Sequence, residues 1–560
     1  MKRLLISLSV IICYLALLPA TAGAQPSWVK KATKSVFTLK TFAADGSLIA
    51  SSNGFFVGSN GEAISNFTPF KGAARAIVID AGGKEWPVSG IMGANDMYDV
   101  VKFRVEAQKT QPLVVASAIA PVGSNVWFLP YRDTKNVRQG AVRKAEKFMN
   151  AYAYYTVALQ ISELNVSCPL LNDNGEVLGL MQQPASAKDS LSYAVSALFA
   201  DSLKITGLSL NDLSLRQTQI RLELPDNMQE ALLMMYMANS AADSATYVRM
   251  MDEFIRKFPN AYDGYVYRAQ FAAGNGHYAD AERDMQQALK VADKKEEAHY
   301  AYARIIYNKE IFQSDKPFAA WSLDKALEEV RTANTLQPSP TYSQMEANIL
   351  FAQKKYDEAY TIYQALTKTN LSGAEIWFSA ARCKELQKDT TAYLALLDST
   401  MSTFSKPYLK EAAPYLWTRA NARMDAGKYR EAVVDMNDYE QLMAANVNAR
   451  FYYIRHQAEI GGHLYQQALN DITRAIQLEP KEVLYQAEKA SLQIRVGLYD
   501  DAITTARECI ATDGQASDGY LFLGLAQCLK GNKKEGLPNL QKAKELGDPQ
   551  AESLIEKYAK

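Results

Sequence analysis

The sequence predicts a multidomain chain: an all-β domain, then an all-α array of stacked helix pairs, behind an export signal. Three observations carry this reading. Short β-rich runs separated by Gly, Asn and Asp turns fill the first two hundred residues. From about residue 226 a Tyr–Ala motif recurs, once at a step of 34 residues. The first 24 residues have the layout that a secretion apparatus reads.

That leader begins with the positive pair Lys2 and Arg3, followed by a largely apolar run from Leu4 to Leu18. Pro19 breaks the run, and Ala22-Gly23-Ala24 supplies the small residues of a cleavage site, placing the cut after Ala24. A retained anchor is the alternative, but the run is shorter than the roughly 20 residues a spanning helix needs. Cys13 follows Ile12 rather than a small residue, which argues against a lipoprotein. No later stretch is apolar enough to span a bilayer. The expected location is the periplasm of a Gram-negative cell envelope.

Composition narrows the function classes. The 560 residues carry 61 basic and 61 acidic side chains, so no global charge argues for nucleic acid or an anionic membrane. An apolar content of 48% is ample for folded cores. Beyond the leader lie Cys168, Cys383, Cys509 and Cys528, with no C-x-x-C spacing to suggest zinc or a redox pair. Cys509 and Cys528 stand about half a repeat apart, which leaves a disulfide or buried free thiols open. No cofactor or metal is implied.

Residues 25–205 read as the β domain. Runs such as 35–40, 76–79, 100–105 and 151–157 favour strands, and Asp45-Gly46, Asn60-Gly61 and Asn174-Gly175 mark tight connections. Many short strands with such turns predict a barrel or sandwich. Residues 206–225 read as a linker.

Residues 226–560 read as the repeat array. Tyr278/Ala281, Tyr356/Ala359, Tyr429/Ala432, Tyr465/Ala468 and Tyr499/Ala502 share one spacing, and Gly536 falls 34 after Ala502. A second small residue often follows seven positions on, as in Ala281/Ala288, Ala326/Ala333, Ala468/Ala475 and Gly536/Ala543. Seven residues is about two helical turns, so both small residues share a face and let paired helices approach. Pro338 and Pro480 sit at turns between helices, and Lys557 and Lys560 give the last helix a polar end. The pattern resembles the tetratricopeptide repeat, which implies about eight helix pairs, with an insertion near 310–320, stacked into a solenoid.

The β domain resembles the HtrA (DegP-type) trypsin-like proteases, on three landmarks in order. Asn53-Gly-Phe-Phe-Val-Gly-Ser-Asn-Gly-Glu-Ala-Ile-Ser-Asn66 is similar to the strand, turn and approach to the catalytic His. Asp96-Met-Tyr-Asp-Val-Val-Lys102 is similar to the strand bearing the catalytic Asp. Asn165-Val-Ser-Cys-Pro-Leu-Leu-Asn-Asp-Asn-Gly-Glu-Val-Leu-Gly179 resembles G-N-S-G-G-P-L-L-N-x-x-G-E-V-V-G, and Tyr193-Ala-Val-Ser196 the strand that follows. The resemblance implies a double β-barrel.

The same alignment places Thr68 at the general base, Asp99 at the orienting acid and Val166 at the nucleophile. Thr cannot take up a proton near neutral pH, and Val has no hydroxyl. The motif's glycines are replaced by Leu164, Ser167 and Cys168, whose side chains are expected to disfavour the turn that aims amides at an oxyanion. The four histidines, His277, His299, His456 and His463, all fall in the repeats. Loss of the nucleophile or base from such a triad costs about a million-fold in turnover.

The expected function is therefore a non-enzymatic adaptor that binds proteins or peptides through the concave repeat surface. The alternative is an active serine endopeptidase, or a peptidase using Cys168 or Ser167, with the repeats recognising substrate. A third reading makes the barrel only a cap on the array. Oligomeric state is not readable.

Overall fold

The computed structural model describes residues 25–184, 190–241 and 243–559; the leader and Lys560 lie outside the described residues. Two compact units result, one ending at Arg268 and the other beginning at Ala269.

The first unit contains two closed antiparallel six-stranded barrels. In the first, β1 (Val36–Phe42), β2 (Leu48–Phe56), β3 (Glu62–Ser65), β4 (Arg75–Ile79), β5 (Glu85–Asn95) and β6 (Val100–Val105) pair in the order β1-β2-β3-β6-β5-β4. The second is built from β7 (Asn125–Phe128), β8 (Arg138–Phe148), β9 (Tyr152–Val157), β10 (Pro169–Leu171), β11 (Val177–Met181) and β12 (Ser192–Ser196), in the order β10-β11-β12-β9-β8-β7. Burial alternates along β6 and β9, as strands with one face in a barrel require.

Aromatic rings fill the first barrel: Phe37 lies 4.8 Å from Phe56, and Phe70 lies 5.2 Å from Phe103. Val126, Phe128, Tyr155, Leu170 and Leu180 fill the second, with Cys168 in the same cluster. Each such side chain contributes about 1.5–3 kcal/mol by leaving water. The expected turn glycines Gly46, Gly61 and Gly175 all take left-handed backbone. Gly61 has a second reason to be glycine, because a Cβ there would stand 2.1 Å from the Val105 carbonyl oxygen.

The segment 206–225 runs as a strap along the first barrel. Its 3-10 turns at Ser209–Asn211 and Leu215–Gln217 lead into an extended stretch. There the Ile91 amide donates to Arg221 and the Glu223 amide to Ile91, both at 2.9 Å. Helices α1 (Met228–Ala241), α2 (Ser244–Lys257) and the start of α3 (Tyr262–Gly274) complete the unit.

The second unit is wholly helical. After α3 come α4 (Tyr278–Val291), α5 (Lys295–Phe312), α6 (Leu323–Leu336), α7 (Pro340–Ala352), α8 (Tyr356–Leu366), α9 (Ala374–Leu386), α10 (Thr390–Ser402) and α11 (Ala413–Asp425). Then follow α12 (Tyr429–Met443), α13 (Ala449–Gly461), α14 (Tyr465–Leu478), α15 (Val483–Arg495), α16 (Tyr499–Thr512), α17 (Ser517–Leu529), α18 (Lys533–Glu545) and α19 (Ala551–Tyr558). From α5 onward they pack as successive pairs, from α5 with α6 to α17 with α18, and α19 closes on α18.

Each motif Tyr opens the second helix of its pair, and Ala281, Ala359, Ala432, Ala468 and Ala502 are fully buried. The last pair is packed closely, where a Cβ on Gly524 would meet the Gly536 carbonyl oxygen at 2.7 Å. Two pairs share a buried ionic device sixteen residues across. Arg419 meets Asp435 at 2.7 Å, and Arg455 meets Asp471 at 2.6 Å. The insertion, residues 313–322, is anchored by Trp321, whose indole donates to Glu282 at 2.6 Å.

Candidate functional site

The antiparallel register of β3 and β6 pairs Ser65 with Val101. The turn after β3 and the turn before β6 therefore face one another. Thr68 opens a 3-10 turn on the first, and Asp99 sits on the second with a left-handed φ of 50°. Asp99 Oδ1 accepts the Thr68 amide at 2.7 Å and the Thr68 hydroxyl at 2.9 Å. The two triad-equivalent positions on this side are thus brought together, with the hydroxyl directed at the carboxylate.

Val166, Ser167 and Cys168 lie between a 3-10 turn at Glu163–Asn165 and β10. Val166 is buried at the edge of this loop. Ser167 is fully buried with a φ of 65°, so the tight turn forms despite its side chain. The strain of a left-handed Cβ, about 1–2 kcal/mol, is offset by hydrogen bonds. Ser167 Oγ donates to Asn66 Oδ1 at 2.7 Å and accepts the Asn66 amide at 3.0 Å. The Ser167 amide donates to Met181 at 2.8 Å.

Asn53 adds a second staple across the barrels. Its Nδ2 donates to the carbonyls of Leu164 at 2.7 Å and Val166 at 3.1 Å. Ser52 also donates to Asn66, at 2.7 Å. The amides of Asn165, Val166 and Cys168 donate within their own loop, to Ser162, Glu163 and Asn165. The local sequence around Asn53 and Asn66 gives neither a role, since their partners lie more than a hundred residues away.

Cys168 points into the second barrel's core, fully buried, and burial pushes its thiol up to about 12. A thiol so placed is protonated at neutral pH and is no nucleophile. Beside the loop, Leu164 and Met97 are the reverse, 86% and 84% exposed.

The histidines are engaged inside the repeats. His456 is buried with Nδ1 at 2.9 Å from the Ala468 carbonyl oxygen, and His299 Nδ1 lies 2.5 Å from Glu329. His463 meets the Tyr465 hydroxyl at 2.9 Å, and His277 precedes α4. All four cysteines beyond the leader are free and buried, so Cys509 and Cys528 are not joined. Among the described residues no three His, Cys, Asp or Glu side chains converge as a metal site. No described helix is long and apolar enough to cross a membrane.

Successive first helices of the array meet through aromatic rings. Tyr300 of α5 lies 5.0 Å from Tyr342 of α7, Phe378 of α9 lies 5.2 Å from Tyr415 of α11, and Tyr453 of α13 lies 5.3 Å from Tyr485 of α15. Sequence alone did not separate these tyrosines from core fillers.

Strand order and helix pairing define a trypsin-like double barrel joined to a tetratricopeptide-like helical array. No family model matches the chain. Over 95 residues, 17% of its length, it is 30% identical to the small glutamine-rich tetratricopeptide repeat-containing protein 2 of Saccharomyces cerevisiae. It spans 28% of that protein. The chain is also similar to the solved Rv3671c protease from M. tuberculosis in its active form, at 20% identity and a TM-score of 0.28, over 33% of this chain and 86% of that one. Against the serine endoprotease from Yersinia pestis the identity is 17% and the TM-score 0.28, over 31% and 62% of the two chains. No activity passes from these proteins to this one.

Proposed function

We propose that this is an exported, non-enzymatic protein-binding scaffold of the cell envelope. Residues 25–205 would form a degenerate protease domain and residues 226–560 the binding array, with the periplasm as its location. The observation that carries the reading is the Thr68–Asp99 contact. Where a protease of this fold holds an imidazole, a hydroxyl donates to the acid. A hydroxyl cannot serve as a base near neutral pH. Val166 offers no attacking atom, and Ser167 and Cys168 are buried away from solvent.

The array supports the binding half of the reading. Stacked helix pairs present a long continuous surface, and aromatics such as Tyr300, Tyr342, Phe378 and Tyr415, half-buried on successive first helices, suit an extended polypeptide. The yeast relative is named for the same repeat, and its likeness is confined to 17% of this chain. To test the reading, the purified protein lacking its leader is incubated with unfolded casein and analysed by mass spectrometry. Saturable binding with casein recovered intact is expected. Casein fragments that disappear in a Cys168→Ala or Ser167→Ala variant would defeat the proposal in favour of a peptidase.

A further inference from the structure

The strap over the first barrel and helices α1 and α2 enclose a cavity of about 310 Å³, wholly within the first unit. Its apolar lining includes Leu215, Ile220, Met234 and Met250, all buried. Its charged lining is unbalanced: Arg216, Arg221 and Arg249 line the cavity with one acidic residue, Glu253. Glu253 is already paired with Arg221, which also donates to the Ser89 carbonyl.

The other two arginines keep donors to spare. Arg249 donates to the Thr246 hydroxyl at 2.8 Å, while Asp243, which caps α2, lies within its electrostatic reach. Arg216 makes no ion pair among the described residues, and both arginines are exposed residues of the cavity lining. An apolar chamber with planar cationic forks in its lining fits a ligand that is apolar at one end and carries a planar anion at the other. Guanidinium binds carboxylate in a bidentate manner, which adds direction as well as energy. The volume sits at the lower end for ligand pockets, of about 300–1,000 Å³, enough for one large apolar side chain and too small for an extended segment.

We propose that this cavity captures the C-terminal carboxylate of a polypeptide that ends in an apolar residue. The last side chain enters among Met234, Met250 and Ile220, and Arg216 and Arg249 hold the carboxylate. The site is independent of the repeat surface, and its failure would leave the scaffold reading untouched.

The test is calorimetric titration of the leader-less protein with one tetrapeptide ending in two leucines, as free acid and as C-terminal amide, with dodecanoate as a third arm. The acid is expected to bind at least about tenfold more tightly than the amide, the difference one charge-assisted pair can make. A double Arg216→Gln, Arg249→Gln variant should bind the acid no better than wild type binds the amide, with an unchanged unfolding midpoint. Lys290→Gln, far along the chain in the array, should change nothing. Equal affinity for acid and amide, or no saturation by about 1 mM, overturns the proposal. So does preferential binding of dodecanoate, which would make the site one for free fatty carboxylates.

Discussion

Replacing Ser167 by Ala and by Gly separates the two energies that meet at the loop beside β10. Alanine keeps the left-handed Cβ and deletes both hydrogen bonds to Asn66. Two buried hydrogen bonds are worth about 1 kcal/mol each, and the Asn66 amide is left without its acceptor, so Ser167→Ala should cost about 2–3 kcal/mol. Glycine loses the same bonds but relieves the strained Cβ, recovering about 1 kcal/mol. The order of stability should be serine, then glycine, then alanine. Hydrogen exchange of residues 164–181 under native conditions reads this directly. A tenfold change in exchange corresponds to about 1.4 kcal/mol, so the alanine variant should exchange roughly 30- to 150-fold faster and glycine roughly fivefold less than that. If alanine and glycine exchange alike, or both match wild type, the clasp between Asn66 and Ser167 does not hold the turn as described.

The array gives a prediction of opposite signs. Gly524→Ala should destabilise by up to about 2 kcal/mol, because overpacking against the Gly536 carbonyl outweighs a helix-propensity gain of about 1 kcal/mol. Gly274→Ala, with nothing within 4 Å of the added methyl, should raise the unfolding midpoint. Glu459, buried on α13 with Asp471 nearby and Arg455 only partly compensating, has its carboxyl raised to about 8. The folded state therefore holds a proton that the unfolded chain releases near 4.5. Stability should fall by up to about 1.4 kcal/mol per pH unit between those values, and Glu459→Gln should flatten that slope in urea titrations at stepped pH. Asp435→Asn should cost about 1–3 kcal/mol, because Arg419 and Arg423 lose their buried carboxylate and keep the more exposed Asp398, measured as a lowered urea midpoint. Iodoacetamide at pH 8 should leave Cys168 unmodified in the native protein and alkylate it in urea, and native alkylation would contradict its burial.

Much of this architecture is legible from local pattern. The turn glycines fixed hairpin positions because left-handed backbone favours the residue without a Cβ. The Tyr–Ala spacing located the second helices because close packing admits only small residues at those places. The order of the three landmarks brought Thr68 to Asp99. What stayed hidden depends on partners distant in sequence. Nothing around Asn53 or Asn66 announces a clasp to Leu164, Val166 and Ser167. Residues 219–224 alternate polar and apolar, and Ile220 and Leu224 are buried, but the barrel residues that the strap pairs with, Gly72, Ala73 and Ile91, lie more than a hundred residues away. The Arg419/Asp435 and Arg455/Asp471 pairs leave a trace in the sequence: the same two residue types recur sixteen apart in adjacent repeats. The hydroxyl of Ser167 is hidden for the same reason, since its partner Asn66 lies about a hundred residues away.

The account stands or falls on whether anything in the first unit can activate a nucleophile. A fluorophosphonate probe, incubated with the native protein and read by mass spectrometry, asks this at the level of a single bond. No covalent adduct should form on any residue between 25 and 268, at any pH from 6 to 9. An adduct on Ser167, or on any other hydroxyl of the barrels, would show that a base is within reach and would contradict the account.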